Sequence, residues 1–340
     1  MSVFFMHSDY PILIVGLGIA GVLLSFELFQ KGVPFMVVHE EQAFTASEVS
    51  GAVLNPYSGK SEAGIKRRMM MYDIAREKYG QLSQLLGASL LHDMPILHFD
   101  ACHDADVADG AAYANYFQYI ANARMIEGTA LVDNQLLLRL WKQFIADKGC
   151  LHLTRFDYNA LEVTSDAVFY ADARYSAVIF CHGVAGMSDR YFSGLPFTTN
   201  RGDILKLRIP ELPQTCMYQY EKLRLLPKGE GMFWCGSNYL WSYDNMKPNQ
   251  QWREDTLQVL NQWLQVPYEL LEHICAKRPT TAGQIPCIGW HPQHPRIGIC
   301  NGLGTKGFSA GPMWIAQFVE QAVIGQGTSN FQPFLEKWLS

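Results

Sequence analysis

The run Ile12-Leu13-Ile14-Val15, followed without a gap by Gly16-Leu17-Gly18-Ile19-Ala20-Gly21, constrains this chain more than any other stretch. Four consecutive aliphatic residues read as a buried parallel strand. The glycines then read as a tight turn into a helix from Val22 to Phe29, ended by Lys31-Gly32, and Val33 to Val38 supplies the next strand. Strand, glycine turn, helix and strand in that order form the framework of a dinucleotide site. Gly16 permits the turn, Gly18 lets backbone approach a pyrophosphate, and Gly21 brings helix and strand close together. The turn amides, those of Ile19 and Ala20 among them, and the positive end of the helix dipole would face the phosphates.

The second strand should end in an acid that accepts hydrogen bonds from a ribose. His39-Glu40-Glu41 follows Val38. Glu40 is the first choice, Glu41 the alternative, and a solvated charge pair the remaining reading. An acid there suits a free ribose hydroxyl and repels a 2′-phosphate. NAD and FAD share this half-site, so the turn alone does not separate them.

A chain of 340 residues can bury a substantial core and form two lobes. Its net charge of -5 argues against a general nucleic-acid surface, which needs a concentrated basic footprint. Lys66-Arg67-Arg68 is the one adjacent basic cluster, read as a solvated helix face or as charges near an anionic ligand. The first residues lack the basic start and small-residue cleavage pattern of a secretory leader. The apolar run from Pro11 to Leu24 is too short for a bilayer span. Eight cysteines without a Cys-x-x-Cys pair suggest buried thiols in a reducing compartment, and hence a cytoplasmic protein. No histidine spacing resembles a metal site, so no metal is expected.

Further along, Ala46-Ser47 and Ser50-Gly51 form a small-residue stretch suited to running beside a ligand. Ser47 either donates to a phosphate or caps the next helix. A polar helical region runs from Ile65 to about Leu91. The segment from Pro95 to Ala130 breaks into short apolar runs with Tyr113, Tyr116, Phe117 and Tyr119, and reads as an inserted β-rich lobe. Asp133 is a plausible cap for a helix from Gln135 to Ala146. Ser176 to Cys181 is another buried strand, ending at His182-Gly183, where Gly183 again allows close backbone approach. His182 reads as structural or cofactor-adjacent before it reads as an acid–base group. Residues 253–274 read as helical. Arg296 to Cys300 is strand-like and leads to Asn301-Gly302-Leu303-Gly304-Thr305-Lys306-Gly307, a glycine-rich turn opening a helix that would make a second anion-compatible terminus.

The order of these motifs resembles the D-amino-acid oxidase, glycine oxidase and sarcosine oxidase family. GLGIAG (16–21), ASEVSG (46–51), ALVDNQLLLRL (130–140), CHGVAG (181–186), RGDILKL (201–207), RLLPKGEGMFWCG (224–236), RPTTAGQIPCIG (278–289) and NGLGTKG (301–307) carry the resemblance across most of the chain. It implies FAD as cofactor and an α/β fold: a Rossmann-like FAD-binding domain over 1–75, 133–198 and 279–340, interleaved with a smaller β-rich α+β substrate domain over 76–132 and 199–278. It implies oxidation of the C–N bond of a small amine or amino acid by hydride transfer to flavin, with oxygen as acceptor and hydrogen peroxide released. By the same comparison Gly16, Gly18 and Gly21 hold the pyrophosphate, Glu40 the ribose, and Ser47 the phosphate side. Gly304, Thr305, Lys306 and Gly307 occupy the turn beside the isoalloxazine, and Gly302 is a further cofactor-binding candidate. Arg278 corresponds to an arginine that binds the substrate carboxylate through a two-pronged guanidinium, and Lys306 to a cation for reduced flavin or oxygen. Tyr218 and Tyr239 are secondary candidates for substrate contact. His39 stands where the family has its ribose acid, one residue before Glu40. Rival readings are an FAD dehydrogenase serving another acceptor, an FAD-dependent domain modifying an amine on a larger molecule, and a non-catalytic flavin-binding protein.

Overall fold

The computed structural model describes residues 10–57, 62–99, 110–118, 123–325 and 327–339. Tyr119 and the first nine residues, which the aromatic and leader readings use, lie outside that set. The chain builds an α/β fold around two large sheets. The first has six strands in the order Cys287–Trp290, Ile297–Asn301, Ala177–Phe180, Ile12–Val15, Phe35–His39, Leu151–Leu153. All neighbours in it run parallel except Cys287–Trp290, which is antiparallel to Ile297–Asn301.

Alternation along the central strand explains its two-sided burial. Ile12 and Ile14 pack toward the Ile19–Gln30 and Gly311–Phe318 helices, while Leu13 and Val15 pack with Phe180, Phe192 and Tyr170 on the other side. From Ile12–Val15 the chain passes to Phe35–His39 on one side, whereas Ala177–Phe180 returns on the other. The strand order therefore reverses at Ile12–Val15, and such a switch point opens a crevice at the carboxyl ends of the strands. Gly16, the residues after His39, Gly183 and Gly302 all follow strands of this sheet at that edge.

The second sheet has seven strands, ordered Glu269–Thr281, Phe197–Arg208, Met232–Gly236, Leu223–Pro227, Met217–Tyr220, Ile96–Phe99, Ala123–Ile126. Phe99, Phe117, Tyr218 and Trp263 fill its core with edge-on and tilted ring contacts. Tyr218 is fully buried there and is a packing residue. Asp133 caps the Asn134–Asp147 helix as its sequence suggests, accepting from Leu136 N at 3.0 Å.

Three elements differ from the sequence reading. The helix expected over 253–274 runs from Gln250 to Trp263 only, and Glu269–Thr281 is a strand paired with Phe197–Arg208 along its length. Leucines at 270 and 271 fit either period locally, and Pro267 breaks the helix before the partner strand takes over. The polar helix Glu62–Leu86 stops at Gly87, which adopts φ +64°, and Leu91–Asp93 is a strand. Residues 304–306 form a single 3-10 turn, and the following α-helix starts at Gly311, so the glycine-rich turn is not itself a helix terminus.

Candidate active site

The glycine turn is a cradle that side chains would fill. Gly16 has φ +99°, and a Cβ on it would stand 2.6 Å from the Cys181 carbonyl oxygen. A Cβ on Gly21 would stand 2.1 Å from the Gly16 oxygen, so the helix lies directly against the turn. Gly18 precedes the first helical residue and supplies no side-chain cap. Ser47 takes that role from outside: its Oγ accepts from Ile19 N at 2.9 Å. The hydroxyl therefore caps the preceding helix rather than the next one, and it donates to no described residue.

Buried Asn134 fixes this loop by donating through Nδ2 to the Ser47 and Glu48 carbonyls, both at 2.8 Å, and Lys228 Nζ reaches Asn134 Oδ1 at 3.2 Å. Amides at a helix start, a hydroxyl beside them and no side chain in the way fit a pyrophosphate. Ser47→Ala removes one capping acceptor, and the expected result is a loss of about 1 kcal/mol of stability with ~10-fold weaker FAD binding. Thermal melting and fluorescence titration with FAD read the two effects.

Glu40 follows the Phe35–His39 strand and is exposed, with Gln42 as its side-chain partner. It lines a crevice with His39, Glu41, Leu153, Thr154 and Arg155. Glu41 is committed to Lys142, whose hydrogen bond holds its carboxyl below the ordinary range. Burial lowers the His39 ring, helped by the Lys142 charge. His182 is tied down by Asp189, whose Oδ2 lies 2.8 Å from Nε2 and also accepts from the Tyr158 hydroxyl. That tie suits a structural histidine at the end of the Ala177–Phe180 strand.

The two distant glycine turns meet. Gly307 lies against the first helix, where a Cβ would stand 2.9 Å from Ile19 Cγ2. From there Gly304, Thr305 and Lys306 extend into a pocket they share with Arg278, Asn200 and Tyr239. Thr280 and Trp241 also line it, and no acidic residue does among the described residues. The Lys306 side chain is exposed, with no ion pair or side-chain hydrogen bond among the described residues.

Arg278 sits on the Glu269–Thr281 strand opposite Asn200. Its Nη1 donates to Asn200 Oδ1 at 2.7 Å and to the Asn238 carbonyl at 3.3 Å, and Nη2 donates to Ser237 Oγ at 2.8 Å. The Tyr239 ring lies against the guanidinium, 4.9 Å from its carbon. No described carboxylate forms an ion pair with it. Removal from water lowers its pKa, partly opposed by Tyr239 and Asp203. Nε makes no hydrogen bond to a described residue and Nη2 makes one, so the guanidinium keeps donors that a carboxylate could accept from.

Gly202 makes this placement possible. A Cβ there would stand 1.9 Å from Arg278 Nη2. Gly202→Ala is expected to evict the guanidinium and to weaken binding of a carboxylate ligand more than ~10-fold while the sheet still forms. Calorimetric titration beside a far-UV spectrum checks both halves of that statement.

The loop carrying Tyr239 and Trp241 is pinned from beneath. Fully buried Asp203 accepts from Asn238 Nδ2 at 3.0 Å and from Asn249 N at 2.7 Å, and Arg201 Nη1 donates to the carbonyls of Asn245 at 2.8 Å and Lys247 at 3.1 Å. Tyr239 and Trp241 remain 55% and 53% exposed on this fixed support, so they form an aromatic rim. Trp241 and Asn200 carry no sequence signal of such a role. Both reach the pocket only through strand pairing and the Asp203 network.

A dinucleotide cradle at a sheet switch point, joined through Gly307 to a cationic pocket, defines a dinucleotide-dependent oxidoreductase. The sequence pattern of the DAO family of FAD-dependent oxidoreductases matches residues 11–321, and the chain belongs to that family. FAD is its cofactor. Solved structures share the fold. Glycine oxidase from Geobacillus kaustophilus is 17% identical with a TM-score of 0.72, covering 96% of this chain and 97% of that one. Glycine oxidase from Bacillus cereus is 14% identical with a TM-score of 0.76, covering 96% and 100%. Iminodiacetate oxidase from a Chelativorans species is 20% identical with a TM-score of 0.73, covering 95% and 98%. Among the described residues no helix is long and apolar enough to cross a membrane, and no cluster of side chains is arranged to hold a metal ion.

Proposed function

We propose that this protein oxidises the C–N bond of a small amine that carries a carboxylate, with oxygen as the final acceptor. One observation carries the reading: Arg278 is a largely desolvated guanidinium without a carboxylate partner, in the same pocket as the Gly304–Lys306 turn. An unpaired cation in such a place is costly unless a ligand supplies the anion. Arg278 would hold the substrate carboxylate through its remaining N–H donors, with Tyr239 limiting the tilt of the guanidinium. The absence of acids from the described lining favours a substrate amine that enters uncharged, as donation of a hydride from the adjacent carbon requires. When bound, FAD supplies the two-electron acceptor for that hydride.

The protein's share is orientation and electrostatics. Gly16, Gly18, Ile19, Ala20 and Gly21 with Ser47 would hold the pyrophosphate, and Glu40 would hold the ribose. Gly183, Gly302, Gly304, Thr305 and Gly307 would shape the remaining walls. Lys306 would offset negative charge at the reacting end. In the same reading, segments 1–75, 133–198 and 279–340 hold the cofactor, and 76–132 and 199–278 close over the substrate. Similarity to glycine oxidases and iminodiacetate oxidase supports the substrate class.

The test is the visible spectrum of the FAD-loaded protein under anaerobic addition of glycine, sarcosine, proline, iminodiacetate and a D-amino-acid panel. Bleaching by one of them, followed by recovery and hydrogen peroxide on admitting air, is the expected result. Recovery only with a quinone would replace oxygen as acceptor. A spectrum indifferent to every amine would sink the proposal.

A further inference from the structure

We propose that Asn200 is a substrate-binding residue whose side-chain amide donates to the same carboxylate that Arg278 receives, making the anion site a guanidinium–amide pair. This rests on the reading of Arg278 as the carboxylate anchor. Asn200 stands opposite Arg278 across the paired strands, is 3% exposed and lines the same pocket.

Chemistry sets the orientation of the amide. Arg278 Nη1 donates to Asn200 Oδ1 at 2.7 Å, and a guanidinium has no acceptor to offer. Turning the amide over would set N–H against N–H. Nδ2 is therefore directed away from Nη1, and it is buried without a hydrogen-bond partner among the described residues. Buried donors in folded proteins are almost always satisfied, so one left open beside an unpaired cation marks a place for an acceptor that arrives with the ligand.

Two features favour a carboxylate as that acceptor. Among the described residues the pocket lining holds two cations, Arg278 and Lys306, and no acid. A carboxylate also has two oxygens and about four lone-pair directions, enough for guanidinium donors and one amide hydrogen together. A substrate lacking the carboxylate would leave both groups buried and unpaired, so the pair would discriminate against simple amines more strongly than Arg278 alone.

Ser237 provides the control, because its Oγ also holds Arg278, at 2.8 Å, while it lies outside the pocket lining. Calorimetric titration of the FAD-loaded protein with benzoate, a carboxylate without a C–N bond to oxidise, reads binding without turnover. Asn200→Ala is expected to weaken benzoate ~10–30-fold, and Ser237→Ala less than ~3-fold. Asn200→Asp is nearly isosteric and keeps the oxygen that faces Arg278. By exchanging the donor for a negative oxygen it should weaken benzoate more than ~100-fold, and it serves if the alanine variant does not fold. Binding by Asn200→Ala within ~3-fold of wild type overturns the proposal, as does an equal loss in Asn200→Ala and Ser237→Ala, which would make Asn200 only a support for Arg278. If the wild-type protein binds no carboxylate at all, the Arg278 reading itself falls and this inference with it. That result differs from wild-type binding with silent Asn200 variants, which removes this inference alone.

Discussion

Arg278→Met is expected to raise KM for a carboxylate-bearing substrate by ~10²–10³-fold, in line with the roughly 2–5 kcal/mol lost when one partner of a buried, hydrogen-bonded charge pair is truncated. The cofactor should stay bound, because its pyrophosphate and ribose are assigned to the Gly16–Gly21 turn, Ser47 and Glu40, none of which lines the pocket around Arg278. Stability separates this role from a structural one. A guanidinium holding the fold together through a buried ion pair would cost about 3–5 kcal/mol on removal. Arg278 has no carboxylate partner among the described residues, only neutral acceptors on Asn200, Ser237 and Asn238. Its removal returns a desolvation cost that partly offsets those lost hydrogen bonds, so thermal melting of the variant should stay within a few degrees of the parent. Arg278→Lys should fall between the two, since an ammonium keeps the charge and loses the planar fork. Initial-rate kinetics on the substrate found by the spectral screen, set beside melting curves, test all three statements. A collapse of stability with little change in KM would return Arg278 to the category of structural arginines.

The parts of this fold legible in the sequence are those whose steric demands are local. The glycine turn could be recognised because three backbone positions within six residues must each do without a Cβ, and the structure has obstructing atoms at the first and last of them. The Asp133 cap was readable for the same reason, since donor and acceptor lie three residues apart. The substrate pocket was not local. Asn200 and Arg278 are 78 residues apart and become neighbours through the register of two long strands. One of those strands reads as a helix in isolation, because its leucines satisfy both periods until a partner strand decides between them. Arg278 stood out only through family resemblance. Its geometric reason, the missing side chain of Gly202, appears once the strands are paired. Trp241 depends on a further layer, the buried Asp203 network that fixes the loop bearing it.

Gly21→Ala should produce the largest loss of cofactor. The added methyl would lie 2.1 Å from the Gly16 carbonyl oxygen, a backbone atom in a turn that is itself wedged against Cys181. Ordinary contact needs more than an ångström beyond that, so the helix start must retreat from the turn, carrying the Ile19 amide away from Ser47 Oγ. The amide donors and the helix terminus assigned to the pyrophosphate would then move together. Overpacking of this kind costs ~1–3 kcal/mol in stability and more where backbone cannot yield, and a displaced anion site should weaken FAD by at least ~100-fold. Gly80→Ala supplies the contrast. Gly80 lies inside the Glu62–Leu86 helix with no atom within 4 Å of an added Cβ, so alanine there should be neutral or stabilise the protein by up to about 1 kcal/mol, leaving FAD affinity unchanged. FAD titration and thermal melting of the two variants beside the parent make the comparison. Tight FAD binding by Gly21→Ala would mean that the cofactor does not sit on this turn, and a Gly80→Ala variant as damaged as Gly21→Ala would mean that the fold tolerates no added methyl and says nothing about the site.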